Sequence, residues 1–330
     1  MAPVRCPEPF APLHLPGHAV GPDPSARPAP FARPGRDLLP LPCRAILLAL
    51  LLLWAAPPVA PASAAPAQLR LGYVEHFLPG VDRKDVALAV QLWARRYVET
   101  ERGLGVHLSA FGSRAEIRAA LLADQLDVVH LPTVDYLALS REMDLKPFGV
   151  PVTDGEFGER YALVVARGSG ITRIGQLRGK RVLVQAMSLG QESLPARWLE
   201  RLLRDQGLPP ATRHFLSVDY EVQPSRVLLP AFFGQAPACI VTERSLRTMA
   251  ELNPQIEAQM ERIAVSQPLI DFVMCLAPSA DPSLAPRYAE LGLGLSDNPW
   301  GRQMLLLLQL DGIAPFRPEA IEPARRLVEP

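Results

Sequence analysis

The sequence predicts an α/β protein built from two similar units in series, and three observations carry that. Short apolar runs of five or six residues alternate with longer amphipathic runs between residues 69 and 242. The alternation restarts at Tyr161, after an extended segment at Phe148–Val152. The stretch from Gly158 to Leu208 holds strand, Gly/Ser turn, strand, small polar loop and long amphipathic helix in unbroken order. Alternation of this kind argues for parallel strands joined by crossover helices.

Leu69–Val74 reads as the first strand. Asp85–Glu101 reads as a helix, because Val86, Ala89, Val90, Trp93, Ala94 and Tyr97 recur near helical period. Val106–Ala110 is a second strand. Ser113-Arg114-Ala115-Glu116 is a capping-box pattern that opens a helix to about Leu122. Asp127–Leu131 is a short buried strand, and Pro132 opens the helix that runs to Ser140. In the second unit, strands are predicted at 161–166, 181–185, 213–218 and 238–242, with helices at 192–206 and 222–232. Near Ser266–Phe272 the chain is set to cross back, with Phe272–Ala277 as the first strand after the return. Leu284–Leu293, Pro299–Leu310 and Pro318–Leu327 read as helices.

Residues 1–43 are rich in Pro, Ala, Arg and Gly and show no apolar period, so they cannot offset their chain entropy by burial. Arg44 then precedes an apolar run, Ala45–Ala56, short for a membrane span and suited to a signal-peptide core. Ala62-Ser63-Ala64 fits the small-x-small cleavage rule, so export with cleavage near Ala64 is expected; an uncleaved signal anchor is the alternative. The next Met after Met1 is Met143, and translation from a non-Met codon near residues 36–43 would give a leader of ordinary length. Five of the 34 basic and three of the 34 acidic residues fall in the first 64, leaving 29 against 31 and a net charge of −2. That excludes a nucleic-acid footprint. Cys239 and Cys275 both lie in apolar strand-like runs. Export permits a disulfide between them, but two buried thiols are the expectation.

The order within Gly158–Leu208 includes an Ile174–Val182 segment with Leu177, Gly179 and Lys180 at fixed offsets. Gly72-Tyr73, Asp127–Leu139 with its Pro before the helix, Phe232–Ala236 before a strand and Gly301-Arg302-Gln303 occur in matching order. Together these pieces resemble type 2 periplasmic substrate-binding proteins, and most closely the phosphate/phosphite/phosphonate receptors of ABC transporters. The resemblance implies a two-lobe fold, each lobe a mostly parallel sheet flanked by helices, with a two-crossing hinge at about residues 153–160 and 264–271. Residues 1–64 would be leader and signal, 65–156 and 268–330 the first lobe, and 157–267 the second. The implied role is a periplasmic, soluble, monomeric receptor. It would bind a small phosphonate- or phosphate-like anion and deliver it to an ABC permease. A stand-alone sensor signalling to a membrane histidine kinase is the alternative, and an enzyme on the same fold a remote one. No cofactor and no metal are implied.

In such sheets ligands bind beyond the carboxyl ends of the strands. The candidates are therefore Tyr73 (with Glu75 and His76), Thr133 and Tyr136 (with His130), Ser188, Gly190 and Gln191, Asp219 (with Tyr220), and Thr242 and Glu243. Thr133 would offer a hydroxyl and a helix-start amide to an oxyanion. The phosphonate-binding relatives carry a Ser-Thr-Ser run where this chain has Ser188-Leu189-Gly190, so one hydroxyl remains there. Arg114 and Arg160 are possible counter-charges. The sequence holds no GxSxG, HExxH, paired CxxC or P-loop.

Overall fold

The computed structural model describes residues 68–74, 88, 90–99, 102–186 and 192–329. The leader, the apolar run and the Ala62-Ser63-Ala64 site lie outside them.

The first sheet begins with β1 (Gln68–Val74), where Leu69 and Leu71 alternate with Arg70 and Gly72. β1 lies parallel to β2 (Gly105–Phe111) on one side and to β3 (Val128–Pro132) on the other. Between them runs helix α1 (Arg114–Leu122). Its cap is near the predicted one: Ser113 accepts from the Glu116 amide, but the Glu116 carboxylate reaches the Gly112 amide at 2.9 Å, one residue earlier than a capping box requires. Upstream of β2 the chain forms a helix whose residues Ala94–Glu99 are π-helical. Helix α2 (Thr133–Leu139) leaves β3 directly. The chain returns as β4 (Lys146–Thr153), turns through Asp154-Gly155 and pairs back as β5 (Glu156–Phe157). Asp154 and Gly155 have φ of 52° and 72°, the left-handed pair that suits a two-residue hairpin.

The second sheet holds β6 (Tyr161–Ala166), β7 (Arg181–Gln185), β8 (Ser217–Glu221), β9 (Ala238–Thr242) and β10 (Met260–Val265). Its helices include α3 (Leu194–Asp205), α4 (Ala211–His214), α5 (Pro224–Phe232), α6 (Glu243–Leu252) and α7 (Gln255–Gln259). After β10 the chain crosses back and enters the first sheet as β11 (Phe272–Leu276). It ends with α8 (Ala285–Leu293), α9 (Pro299–Leu307), β12 (Gly312–Pro315) and α10 (Pro318–Val328).

The strand orders are β12-β4-β11-β3-β1-β2 and β10-β6-β9-β7-β8. In each lobe three parallel strands stand beside one antiparallel strand that has just crossed the hinge: β11 next to β3, and β6 next to β9. The parallel βαβ core is as predicted, yet both sheets are mixed rather than mostly parallel. Crossing strands arrive from the other lobe and so run opposite to their neighbours. The strand predicted at 213–218 starts later, at Ser217. Pro209-Pro210 instead opens the helical turn α4, which buries His214 against the Ile174 carbonyl.

The two crossings pair antiparallel. Glu159 and Leu269 exchange both backbone hydrogen bonds at 2.8 Å, and Ser266 brackets Tyr161 through its amide and its hydroxyl. Gly158 has φ of 91°, and a Cβ there would lie 2.2 Å from the Leu269 carbonyl oxygen. Replacing Gly158 with Ala should cost more than about 2 kcal/mol in chemical unfolding, since backbone must move. Gly168 (φ 81°) faces open space, so its Ala variant should cost only the ~1–2 kcal/mol of left-handed backbone. Equal costs at the two sites would contradict the crossing geometry.

Candidate functional site

The carboxyl ends of β7 and β9, the start of α6 and the two crossings enclose a cleft of about 60 Å³. Its wall is formed by Gln185, Thr242, Arg244, Glu159, Asp271 and Phe272, with Thr153 and Leu308–Leu310 from the first lobe. Thr242 caps α6, accepting from the Ser245 amide at 3.0 Å. Its own amide donates to the buried Gln185 side chain at 3.1 Å, which ties the ends of β7 and β9 together.

Arg244 sits in the first turn of α6 and reaches across the cleft. It lies 3.2 Å from Glu159 and donates through Nη1 to the Gln309 carbonyl of the first lobe. The atom at that distance from Glu159 is the buried Nε, which faces Glu159 Oε1 out of hydrogen-bond alignment. An acceptor that entered the cleft would share this group with Glu159.

Two acids face it. Asp271 accepts from the Tyr161 hydroxyl at 2.7 Å. Burial pushes its pKa up to about 6, against the opposing pull of Tyr161 and Arg244. Burial, reinforced by the Asp271 charge, pushes Glu159 up to about 7, again opposed by Arg244. Both carboxyls therefore carry a proton for part of the time near neutral pH and can donate to an oxyanion instead of repelling it.

Across the rest of the interface, Arg114 bridges Asp135 of its own lobe (2.6 Å) and Glu192 of the other. Arg247 pairs with Asp154 across the hinge. Helix α10 packs on both α2 and α3, with Ile321 and Ala324 fully buried.

The predicted site residues separate clearly. Thr242 lines the cleft. Ser188, Gly190 and Gln191, with Glu75 and His76, lie outside the described residues. Thr133 is fully buried, and both groups meant for a ligand are engaged: its amide donates to the Asp271 carbonyl at 2.9 Å and its hydroxyl to the Ile270 carbonyl. Tyr136 points into the core, edge-on to Phe316 at 6.2 Å. Asp219 falls mid-strand because β8 starts later than predicted, and it pairs with Arg181 at 2.6 Å. Glu243 turns away from the cleft to Arg262 at 2.9 Å. Tyr73 lies at the end of β1 on the face that packs against the helices of the first lobe. Arg160 pairs locally with Glu156. The two cysteines are buried free thiols in different sheets. Glu159, Asp271, Arg244 and Gln185 escaped the sequence reading. Asp271 carried a signal, an acid between Ile270 and Phe272 in an otherwise apolar run.

Residues 77–320 match the model of the ABC transporter phosphonate periplasmic substrate-binding proteins. The chain belongs to that family. It is thus a substrate-binding component of the ABC-transporter type, a periplasmic class. Among the described residues no helix is long and apolar enough to cross a membrane. No curated protein matches the sequence. A binding-protein component of an ABC phosphonate transporter from Pseudomonas aeruginosa has a similar fold, with TM-score 0.59, 11% identity, and coverage of 80% of this chain and 86% of that one. A Xanthomonas citri protein bound to chloride ion gives 0.60, 17%, 79% and 96%. PhnD1 from Prochlorococcus marinus, in complex with methylphosphonate, gives 0.58, 11%, 80% and 97%.

The raised acids make this receptor's stability depend on pH in a defined direction. Folded Glu159 and Asp271 hold protons that the unfolded chain, with ordinary carboxylate pKa values near 4, has released. Their contribution therefore falls as pH rises from about 4 to about 7 and is constant outside that window. The melting temperature of the double variant Glu159→Gln, Asp271→Asn should respond less to pH between 5 and 8 than that of the parent. An identical response would show that the two acids are not held as described.

Proposed function

We propose that this family member is the receptor for a small phosphonate-like oxyanion, held in the inter-lobe cleft and handed to an ABC permease. The observation that carries the reading is Arg244 on the first turn of α6, whose buried Nε stands 3.2 Å from Glu159 beside a second acid, Asp271, both of raised pKa. The family description, and the methylphosphonate held by the Prochlorococcus neighbour, support the ligand class.

In this reading Arg244 supplies the charge and the α6 terminus adds a favourable dipole. Protonated Glu159 and Asp271 donate to the remaining oxygens, Asp271 while still accepting from Tyr161. Ligand contacts made from both lobes favour the closed arrangement, which the Arg114–Glu192 and Arg247–Asp154 pairs also hold. Those pairs are solvent-exposed and worth about 0–1 kcal/mol each, so they leave the hinge free to reopen.

Titration calorimetry with methylphosphonate, phosphate, phosphite and methylsulfonate tests the proposal. One of these should bind, and Arg244→Gln should weaken it roughly ten- to a hundredfold, the worth of one charge-assisted hydrogen bond. Arg244→Lys should recover part of the loss, and Asp219→Asn should bind like the parent. Methylsulfonate keeps one charge throughout, so its binding should tighten as pH falls from 8 to 6 and the two acids gain protons. No binding of any of the four by a folded protein would overturn the reading.

A further inference from the structure

Helix α3 and the edge of the second sheet border a groove of about 650 Å³ that shares no wall residue with the cleft. β8 is the last strand of its sheet, and each of its residues is half-buried. Val218 and Tyr220, two apart on that strand, share one face and line the groove with Ala196 and Leu199 of α3. The turn α4 and Phe215 after it wall one side, and Leu327 and Val328 at the end of α10 wall another.

Arg197 and Arg204 of α3 stand in the same wall. Arg197 is half-buried, and its Nε–H is buried and meets no acceptor. Among the described residues no carboxylate pairs with either guanidinium, because the nearby acids are committed elsewhere. Glu200 accepts from the Ala211 amide at 3.1 Å, Asp205 pairs with Arg201 at 2.7 Å, and Glu192 pairs with Arg114 at 2.5 Å. Thr212, Ser217 and Tyr220 add hydroxyl groups to the wall. Arginine is seldom taken out of water unless paired, since desolvating a charge is costly. A guanidinium left unpaired beside apolar side chains matches a ligand with a negative head and an apolar body.

We propose that this groove is a second ligand site, taking an organic anion that joins a carboxylate to an apolar body. Its volume falls within the roughly 300–1,000 Å³ of ordinary small-molecule sites. The carboxylate meets Arg197, with Arg204 adding charge from the next turns of the same helix. The body lies against Leu199, Phe215 and Val218. None of this depends on what the cleft binds.

Calorimetry with phenylbutyrate and biphenylcarboxylate tests the site, with acetate as the head alone and biphenylmethanol as the body alone. Each aryl acid should bind about tenfold or more tightly than either control, and saturating methylphosphonate should not displace it. Arg197→Met should weaken the aryl acids about tenfold or more, the worth of one charge-assisted hydrogen bond. Because it replaces a buried unpaired charge with an apolar chain, it should also raise the melting temperature of the ligand-free protein. Arg244→Gln should bind the aryl acids like the parent. If Arg197→Met melts below the parent, Arg204→Gln decides by the same loss of affinity, since Arg204 is exposed. No binding of either aryl acid by the folded parent, or equal binding by the Arg197 variant, would overturn the site. Loss of binding in Arg244→Gln, or displacement by methylphosphonate, would overturn it too and place the acids in the cleft. Failure of methylphosphonate itself to bind would count against the oxyanion reading alone.

Discussion

The antiparallel pairing of the two crossings, Gly158–Tyr161 against Ser266–Asp271, is the constraint on which both lobes depend. Glu159 and Leu269 form a two-hydrogen-bond clamp between the lobes. The same segment places the carbonyls of Ile270 and Asp271 against Thr133, so the first helix after β3 is tied to the hinge. On the other side the Arg160 carbonyl accepts from the Glu243 amide at the start of α6. One short ladder therefore fixes the helix starts of both lobes. It demands a residue without Cβ at 158, because the backbones approach closer than any side chain allows.

That ladder also explains why acids are buried where an anion is expected. Asp271 is positioned by its backbone role, and its side chain can only enter the cleft. Ionised and unpaired there, it would be costly; protonated or bonded to Tyr161, it is tolerated. In the proposed reading such a cleft would discriminate by protonation as well as by shape, accepting an oxyanion to the extent that Glu159 and Asp271 keep their protons. Arg244, 3.2 Å from Glu159, would serve the carboxylate when the cleft is empty and the ligand when it is full. Perturbed carboxyls converging in a cleft are what a functional site looks like physically.

Much of the fold was legible because local signals and tertiary fate agreed. The runs at 161–166, 181–185 and 238–242 form strands with the predicted bounds, since each is central and buried on both faces. The failures lie at edges and turns. β10 reads MERIAV, where Glu261 and Arg262 break the apolar run, as an edge strand permits. β12 holds only four residues, also at an edge. The Asp154-Gly155 hairpin was written plainly in the dipeptide, but the strand after it is two residues long. In the cleft, the rule that ligands lie beyond strand ends led to one wall residue, Thr242. It missed Glu159 and Asp271 because they sit in the crossings, and it named Asp219 because a helical turn displaced the strand start. Tyr136 and Glu243 follow strand ends as the rule asks. Helical periodicity nonetheless turns one into the core and the other towards Arg262.

The adjacency of Asp271 and Phe272 ties the cleft to the core of the first lobe. In extended backbone successive side chains point to opposite sides, so an acid aimed into the cleft turns its neighbour towards the sheet face that α8 and α9 cover. In the proposed reading, a head group that drew on Asp271 would therefore act on the crossing and on the first-lobe core together. The contacts that chose the ligand would then also bias the closed state, because a ligand shifts an equilibrium only by its differential affinity for the two forms.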